Sequence, residues 1–315
     1  MSRKCGDIGE RQLINIITDV LKIEEKDDCA ILDLGDKYLV WTTDMLHRET
    51  DFPQVATPWQ MGWMTSAVNL SDLAAMGAKP FGMLVAAGIP PDSEVDFVVD
   101  MFSGMRDCTR KYGTQFLGGD VDSHHELTLS ATALGWVEKD LILRRRGAQL
   151  GDLLCTTGYL GSAGAGLKRV LEGDDCKSPL VRKLLEPEPC LNEGNALAKT
   201  KSITSMMDNS DGLALSLFDL SRASGVGFLV QEDKIPIDPL VRELADSRDD
   251  WMELAFHSGG DFGLIFTLKP DMLDLAKNAC QFEVIGRVIS NGIWAESMGA
   301  KRPIEPRGYE HMIHC

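Results

Sequence analysis

A chain of 315 residues, 44% hydrophobic and 25% charged, is long enough to bury a sizeable core, and at about 150 residues per domain it predicts two domains. Its formal net charge of −16 opposes broad binding to nucleic acid or to an anionic membrane, so any phosphate ligand has to arrive with cations. Eight cysteines (Cys5, Cys29, Cys108, Cys155, Cys176, Cys190, Cys280 and Cys315) without a Cys-x-x-Cys pair, no secretory pattern over 1–21 and no apolar run of about 18 residues predict a cytoplasmic protein with free thiols.

Leu13, Ile14, Ile17 and Leu21 at helical spacing predict an amphipathic helix over 10–22. Two strands follow within 29–43, turning at Gly35-Asp36, and the second delivers Thr42, Thr43 and Asp44 at its end. A helix over 58–76, opened by Pro58 and stopped by Gly77, carries Asp72 near its last turns among Val68, Leu70, Leu73 and Met76. A strand over 81–89, a helix over 93–112, a strand edge over 115–117 that runs into Gly118-Gly119-Asp120, and a strand over 127–137 come next. The polar, glycine-bearing stretch 144–152 marks a domain boundary, dividing the chain into 1–147 and 148–315. The second unit reads as a strand over 153–157, a helix over 163–171, a surface connection over 172–189, a helix from Leu213 to near Gly225, and strands over 227–231, 264–268 and 282–288. This mixed order predicts an α/β (α+β) fold.

Five aspartate-bearing segments stand out: Asp27-Asp28-Cys29-Ala30, Thr42-Thr43-Asp44, Asn69-Leu70-Ser71-Asp72, Gly118-Gly119-Asp120 and Asp208-Asn209-Ser210-Asp211-Gly212. Each sits beside small or apolar residues at a predicted strand end or helix start, as expected of side chains that converge. Two carboxylates about 4 Å apart repel by roughly 4 kcal/mol at an effective dielectric near 20, so such a cleft requires divalent cations. Oxygen-only ligands suit Mg²⁺ shared with substrate phosphates. Taken singly, each segment has a plainer reading: Asp208 and Asp211 as helix caps, Asp44 as an exposed strand end, Gly118-Gly119 as a turn. The glycine run over 158–166 lacks dinucleotide spacing and reads as tight helix packing, and no P-loop is present. Arg144, Arg145 and Arg146 form a basic turn or supply one bidentate guanidinium to a nucleotide phosphate. His124-His125 and His311 with His314 lack Cys partners at zinc spacing and read as surface residues.

In order and wording these segments resemble the thiamine-monophosphate kinase family of the AIR-synthase-like (PurM-like) ATP-binding superfamily. The likeness runs from Gly9-Glu10 to Arg307-Gly308-Tyr309, and its specific motifs are Asp27-Asp28-Cys29-Ala30, the stretch 67–78, Asp208-x-Ser210-Asp211-Gly212-Leu213 and Ser258-Gly259-Gly260-Asp261. It implies a two-domain PurM-like fold whose N-terminal domains pair into a dimeric β-barrel. It also implies metal-binding positions at Asp28, Thr42, Thr43, Asp44, Asp72, Asp120, Asp208 and Asp211, of which Asp44, Asp120 and Asp211 would serve catalysis. Nucleotide contacts fall on Gly119, Asp120, Arg145 and Ser210, and the acceptor side on Asp51, Asp261 and Tyr309. The implied reaction passes the γ-phosphate of ATP to thiamine monophosphate with several Mg²⁺ ions. Donor and acceptor are both polyanions, so metals and an arginine carry the chemistry and no protein nucleophile is needed.

Three departures fall at or near the acceptor side. Lys26 stands where the family usually has Gly, Asp51 aligns with a usual His, and Gly259-Gly260-Asp261-Phe262-Gly263 shortens the usual Gly-Gly-Glu-Asp-Tyr-Glu. They keep open another ATP-using reaction of the superfamily, such as amide activation or selenophosphate formation, or a catalytically silent nucleotide-binding relative.

Overall fold

The chain is described here by a computed structural model over residues 4–24, 26–244 and 247–312, so His314 and Cys315 lie outside the described residues. Helix α1 (Gly9–Leu21) forms where expected, but Ile14, Ile17 and Leu21 stay exposed. Strands β1 (Ala30–Asp33) and β2 (Lys37–His47) make an antiparallel hairpin. β2 continues past Asp44 to His47, which puts this aspartate inside a strand and not at its end.

Helix α2 (Pro58–Ala75) opens on a capping box in which Gln60 N donates to Thr57 Oγ1 (3.2 Å) and Thr57 N donates to Gln60 Oε1 (3.1 Å). It is buried on nearly every side. Strand β3 (Lys79–Ile89), helix α3 (Val95–Lys111), strand β4 (Phe116–Ser123) and strand β5 (Thr128–Glu138) complete a five-stranded sheet of order β1-β2-β5-β3-β4. Burial alternates residue by residue along β5, because one face of this sheet packs on α2 and the other is open. The parallel β3–β4 pair requires a crossover, which α3 supplies. Against the plainer reading of the glycine pair as a turn, Gly118 and Gly119 pair with Leu84 and Val85, so β4 runs through Asp120 as an edge strand.

The second half begins with β6 (Leu153–Thr156), α4 (Ser162–Leu171), α5 (Pro179–Leu185), α6 (Leu191–Thr200) and β7 (Ile203–Asp208). It continues with α7 (Leu213–Ser224), β8 (Gly227–Gln231), α8 (Pro239–Leu244), α9 (Arg248–His257), β9 (Leu264–Leu268) and α10 (Leu273–Ala279), and closes on β10 (Glu283–Ile289), β11 (Ile293–Ser297) and β12 (Ala300–Pro303). The seven strands make one sheet of order β12-β11-β8-β10-β6-β9-β7. The expected surface connection over 172–189 instead contains α5, whose Leu180, Val181 and Leu185 are buried, and Trp63 Nε1 ties its far end by donating to Pro187 O (2.9 Å). A Cβ at Gly166 would lie 2.3 Å from Leu180 O, so the glycine run serves the α4–α5 contact.

α2 is the element that joins the halves. Its Leu70 and Leu73, with Met76 just past its end, share a core with Met83 and Ala131 of the first sheet and with Leu197, Met206 and Phe266 of the second half. The seven described cysteines are free thiols, and among the described residues no helix is long and apolar enough to cross a membrane.

Candidate active site

Three chain segments meet where the last turn of α2 faces the end of β7 and the loop before β1. Each of Asp28, Asp72 and Asp208 places one carboxylate oxygen within 4.8 Å of the others. At that separation each pair of charges repels by roughly 3 kcal/mol for an effective dielectric of 20. Neighbouring hydroxyls hold these carboxylates: Thr42 Oγ1 donates to Asp72 Oδ2 (2.5 Å) and Ser71 Oγ to Asp208 Oδ2 (2.6 Å). Arg145 Nη2 donates to Asp28 Oδ1 (2.9 Å), while the Arg145 backbone N donates to Asp27 Oδ1 (2.9 Å). Asp28 Oδ2 and Asp44 Oδ2 are buried with no hydrogen-bond partner, an arrangement that is costly unless a cation is bound. Hard oxygen donors, close carboxylates and orphaned buried oxygens together fit a divalent ion such as Mg²⁺.

Burial first, and then mutual repulsion, raise the proton affinity of the group. Asp208 is pushed up to about 8 by burial and by Asp28, against the Ser71 hydrogen bond. Asp72 rises well above the ordinary carboxylate range through burial, Asp44, Asp208 and Asp28. Asp44 goes to about 6 by burial and by repulsion from Asp211. Asp211 also rises, chiefly through burial, while Arg11 opposes the shift. Its loop is shaped by Gly212, which opens α7 at φ 102°, a conformation that L side chains rarely adopt.

Of the expected site residues, Asp28, Thr42, Asp44, Asp72, Asp208, Asp211 and Arg145 come together. Ser210 lies beside Asp211, its Oγ 3.4 Å from Asp211 Oδ1, and Gly260 N donates to Ser210 O (2.7 Å). Thr43 and Asp120 do not join the cluster within one chain. Side chains alternate along a strand, so Thr42 faces α2 while Thr43 points to the open face and bonds Thr132 Oγ1 (3.1 Å). Met45, Ser130, Ala86 and Asp120 form one cross-sheet row on that open face, which leaves Asp120 three strand spacings, about 14 Å, from β2. Gly119 lies next to it on the same edge.

Of the residues expected on the acceptor side, Tyr309 is anchored by its N donating to Asp211 O (3.0 Å), and its hydroxyl reaches Asp51 Oδ1 (3.5 Å). Asp51 is also bound within its own turn, accepting from His47 N (2.8 Å) and Thr50 Oγ1 (2.7 Å). Asp261 sits under the start of α4, accepting from Gly161 N (2.6 Å) and Ala163 N (2.9 Å), and burial pushes it up to about 6. Sequence reasoning quoted Asp27 and Ser71 only as parts of their segments, with no role of their own, and missed Arg11 and Asp219. Ser71 was in reach as the neighbour of Asp72. Arg11 carried no local signal: its Nη2 donates to Asp211 Oδ2 (2.8 Å) and its Nη1 to both oxygens of Asp219 (2.7 Å each), across some 200 residues of chain.

Residues 26–137 match the N-terminal domain of AIR synthase related proteins, and residues 149–294 match the C-terminal domain. A thiamine-monophosphate kinase of Methanospirillum hungatei is 40% identical over 306 residues, covering 96% of this chain and 99% of the relative. One from Archaeoglobus fulgidus is 33% identical over 97% of this chain and 99% of its own length. The solved structure described as AaThiL complexed with AMPPCP and TMP superposes with a TM-score of 0.89 at 27% identity, covering 99% of both chains.

Proposed function

Because the chain belongs to the thiamine-monophosphate kinase family, we propose that it transfers the γ-phosphoryl group of ATP to the phosphate of thiamine monophosphate, giving thiamine diphosphate and ADP. The observation that carries this reading is the cluster of Asp28, Asp72 and Asp208 with its orphaned buried oxygens. Bound Mg²⁺ supplies the positive charge that neutralises the two polyanions and sets their alignment. Asp28, Asp72 and Asp208 would hold it, with Asp44 and Asp211 completing the cluster. Thr42 and Ser71 each occupy one oxygen of their aspartate and so fix which oxygen is presented. Arg145, steadied by Asp28, offers a guanidinium to a phosphate. No side chain has to act as a nucleophile, and the acceptor phosphate is already largely ionised near neutral pH. Tyr309 presents a flat, exposed ring on the acceptor side, suited to a cationic thiazolium.

The open face of the first sheet leaves Leu32, Met45 and Leu84 exposed, with Phe81 and Leu117 beside them, an area of the kind buried in subunit contacts. We assign it to a homodimer in which Gly119 and Asp120 contact nucleotide, with domains 1–147 and 148–315 and a cytoplasmic setting. The test is incubation with ATP and thiamine monophosphate, with and without Mg²⁺, followed by detection of thiamine diphosphate. Product that depends on Mg²⁺ is the expected result. ATP consumption without thiamine diphosphate contradicts the acceptor, and nucleotide binding without consumption contradicts catalysis.

A further inference from the structure

Arg11 is the one cation that touches Asp211 among the described contacts, and it is held there from three directions. Its Nη1 lies 2.7 Å from both oxygens of Asp219, its Nη2 lies 2.8 Å from Asp211 Oδ2, and its backbone N donates to Glu310 Oε1 (3.1 Å). Glu10 Oε2 accepts in turn from His311 N (2.8 Å), which closes the first turn of α1 onto the segment that carries Tyr309. The Arg11 side chain is 25% exposed and Asp219 only 13%, so the guanidinium is anchored below and open above. Within the cluster Asp28 carries Arg145 in a similar way, whereas Asp72 and Asp208 are held by neutral hydroxyls.

A divalent ion at Asp211 must therefore compete with a positive charge already seated on the carboxylate, whereas an ion at Asp72 and Asp208 displaces no charge. A triphosphate changes this balance, because guanidinium hydrogen bonds to phosphate oxygens at least as well as to carboxylate and the Asp219 anchor keeps it in place to do so. We propose that Arg11 is a built-in counter-cation that withholds Asp211 from divalent metal until nucleotide arrives, so that the cluster loads its metal in two stages. The inference rests on the metal-dependent kinase reading and concerns the order in which that site assembles. Asp219 acts through Arg11 and is a positioning residue.

The test counts Mn²⁺ by electron paramagnetic resonance on the full chain, without thiamine monophosphate and without nucleotide, in the wild type, Arg11→Met and Arg11→Gln. Removing a charge-assisted partner should tighten the weakest Mn²⁺ class, or add one ion, by a factor of roughly ten to a hundred, while Arg11→Lys restores the wild-type titration. Adding a non-hydrolysable ATP analogue should abolish the difference between wild type and variants. Unchanged Mn²⁺ number and affinity in either folded variant overturns the proposal. Should both variants fail to fold, the Arg11 Nε resonance of the wild type decides: it must stay unmoved by Mg²⁺ alone and shift once the analogue is added, and a shift with Mg²⁺ alone overturns it. Failure to form thiamine diphosphate would sink the kinase reading without touching this titration.

Discussion

Ser71, in the last turn of α2, donates a 2.6 Å hydrogen bond to Asp208 at the end of β7, and both side chains are buried. This contact spans the two halves of the chain and fixes one carboxylate of the proposed metal cluster against the helix that carries another. Ser71→Ala should cost about 1–3 kcal/mol, since a buried acceptor loses its donor. It should also raise the proton affinity of Asp208 further, because the hydroxyl now opposes that rise. Urea denaturation and an Mg²⁺ titration at pH 7 check the two effects, with weaker Mg²⁺ binding expected.

The raised carboxylates make metal-free stability depend on pH in an unusual direction. An unfolded aspartate titrates near 3.9, whereas Asp208 folds with a value of about 8 and Asp44 and Asp27 with about 6. Between those limits the folded state binds more protons than the unfolded state, so these groups lower stability as pH rises from about 4 to 8. Thermal melts without metal should show that fall, reduced in Asp208→Asn. The stabilisation given by Mg²⁺ should grow over the same range, because protons no longer compete for the ligands.

Arg145 compensates Asp28, whose side chain is fully buried. Arg145→Met leaves that carboxylate without its counter-charge and should destabilise the metal-free protein by about 3–5 kcal/mol. Saturating Mg²⁺ should return part of the loss by taking over Asp28. A variant whose deficit is the same with and without Mg²⁺ would show that the ion does not reach this carboxylate.

The position of Asp72 depends on how closely α6 approaches α2. A Cβ at Gly194 of α6 would lie 2.2 Å from Ala74 O, so Gly194→Ala must push the helices apart. The expected cost is about 1–3 kcal/mol by denaturation, with a weaker Mg²⁺ response because Asp72 moves with α2.

Much of the site was legible because Asp28, Asp72, Asp208 and Asp211 sit among small and apolar residues, where an unpaired carboxylate demands a reason. The spacing of Asp208 and Asp211 also placed both beside a helix start, where α7 begins, whereas the strand β7 that precedes them was not read. The face of a strand is harder to read than its existence. Thr42, Thr43 and Asp44 look like one rim in sequence, yet alternation sends Thr43 to the open side of the sheet, and the same rule puts Asp120 there. α5 was hidden because its short span lies within an acidic, proline-bearing stretch, and only tertiary burial of Leu180 and Leu185 shows its purpose. Arg11 and Asp219 are 208 residues apart, so no local pattern joins them.

The proposed phosphoryl transfer depends on divalent metal gathering at Asp28, Asp72 and Asp208 beside the nucleotide phosphates. Anomalous scattering from crystals grown with Mn²⁺ and a non-hydrolysable ATP analogue tests this most directly. A manganese peak in direct contact with carboxylate oxygens of all three residues and within reach of the terminal phosphate is the predicted result. A bound analogue whose manganese lies elsewhere, with those three carboxylates free of metal, would contradict it.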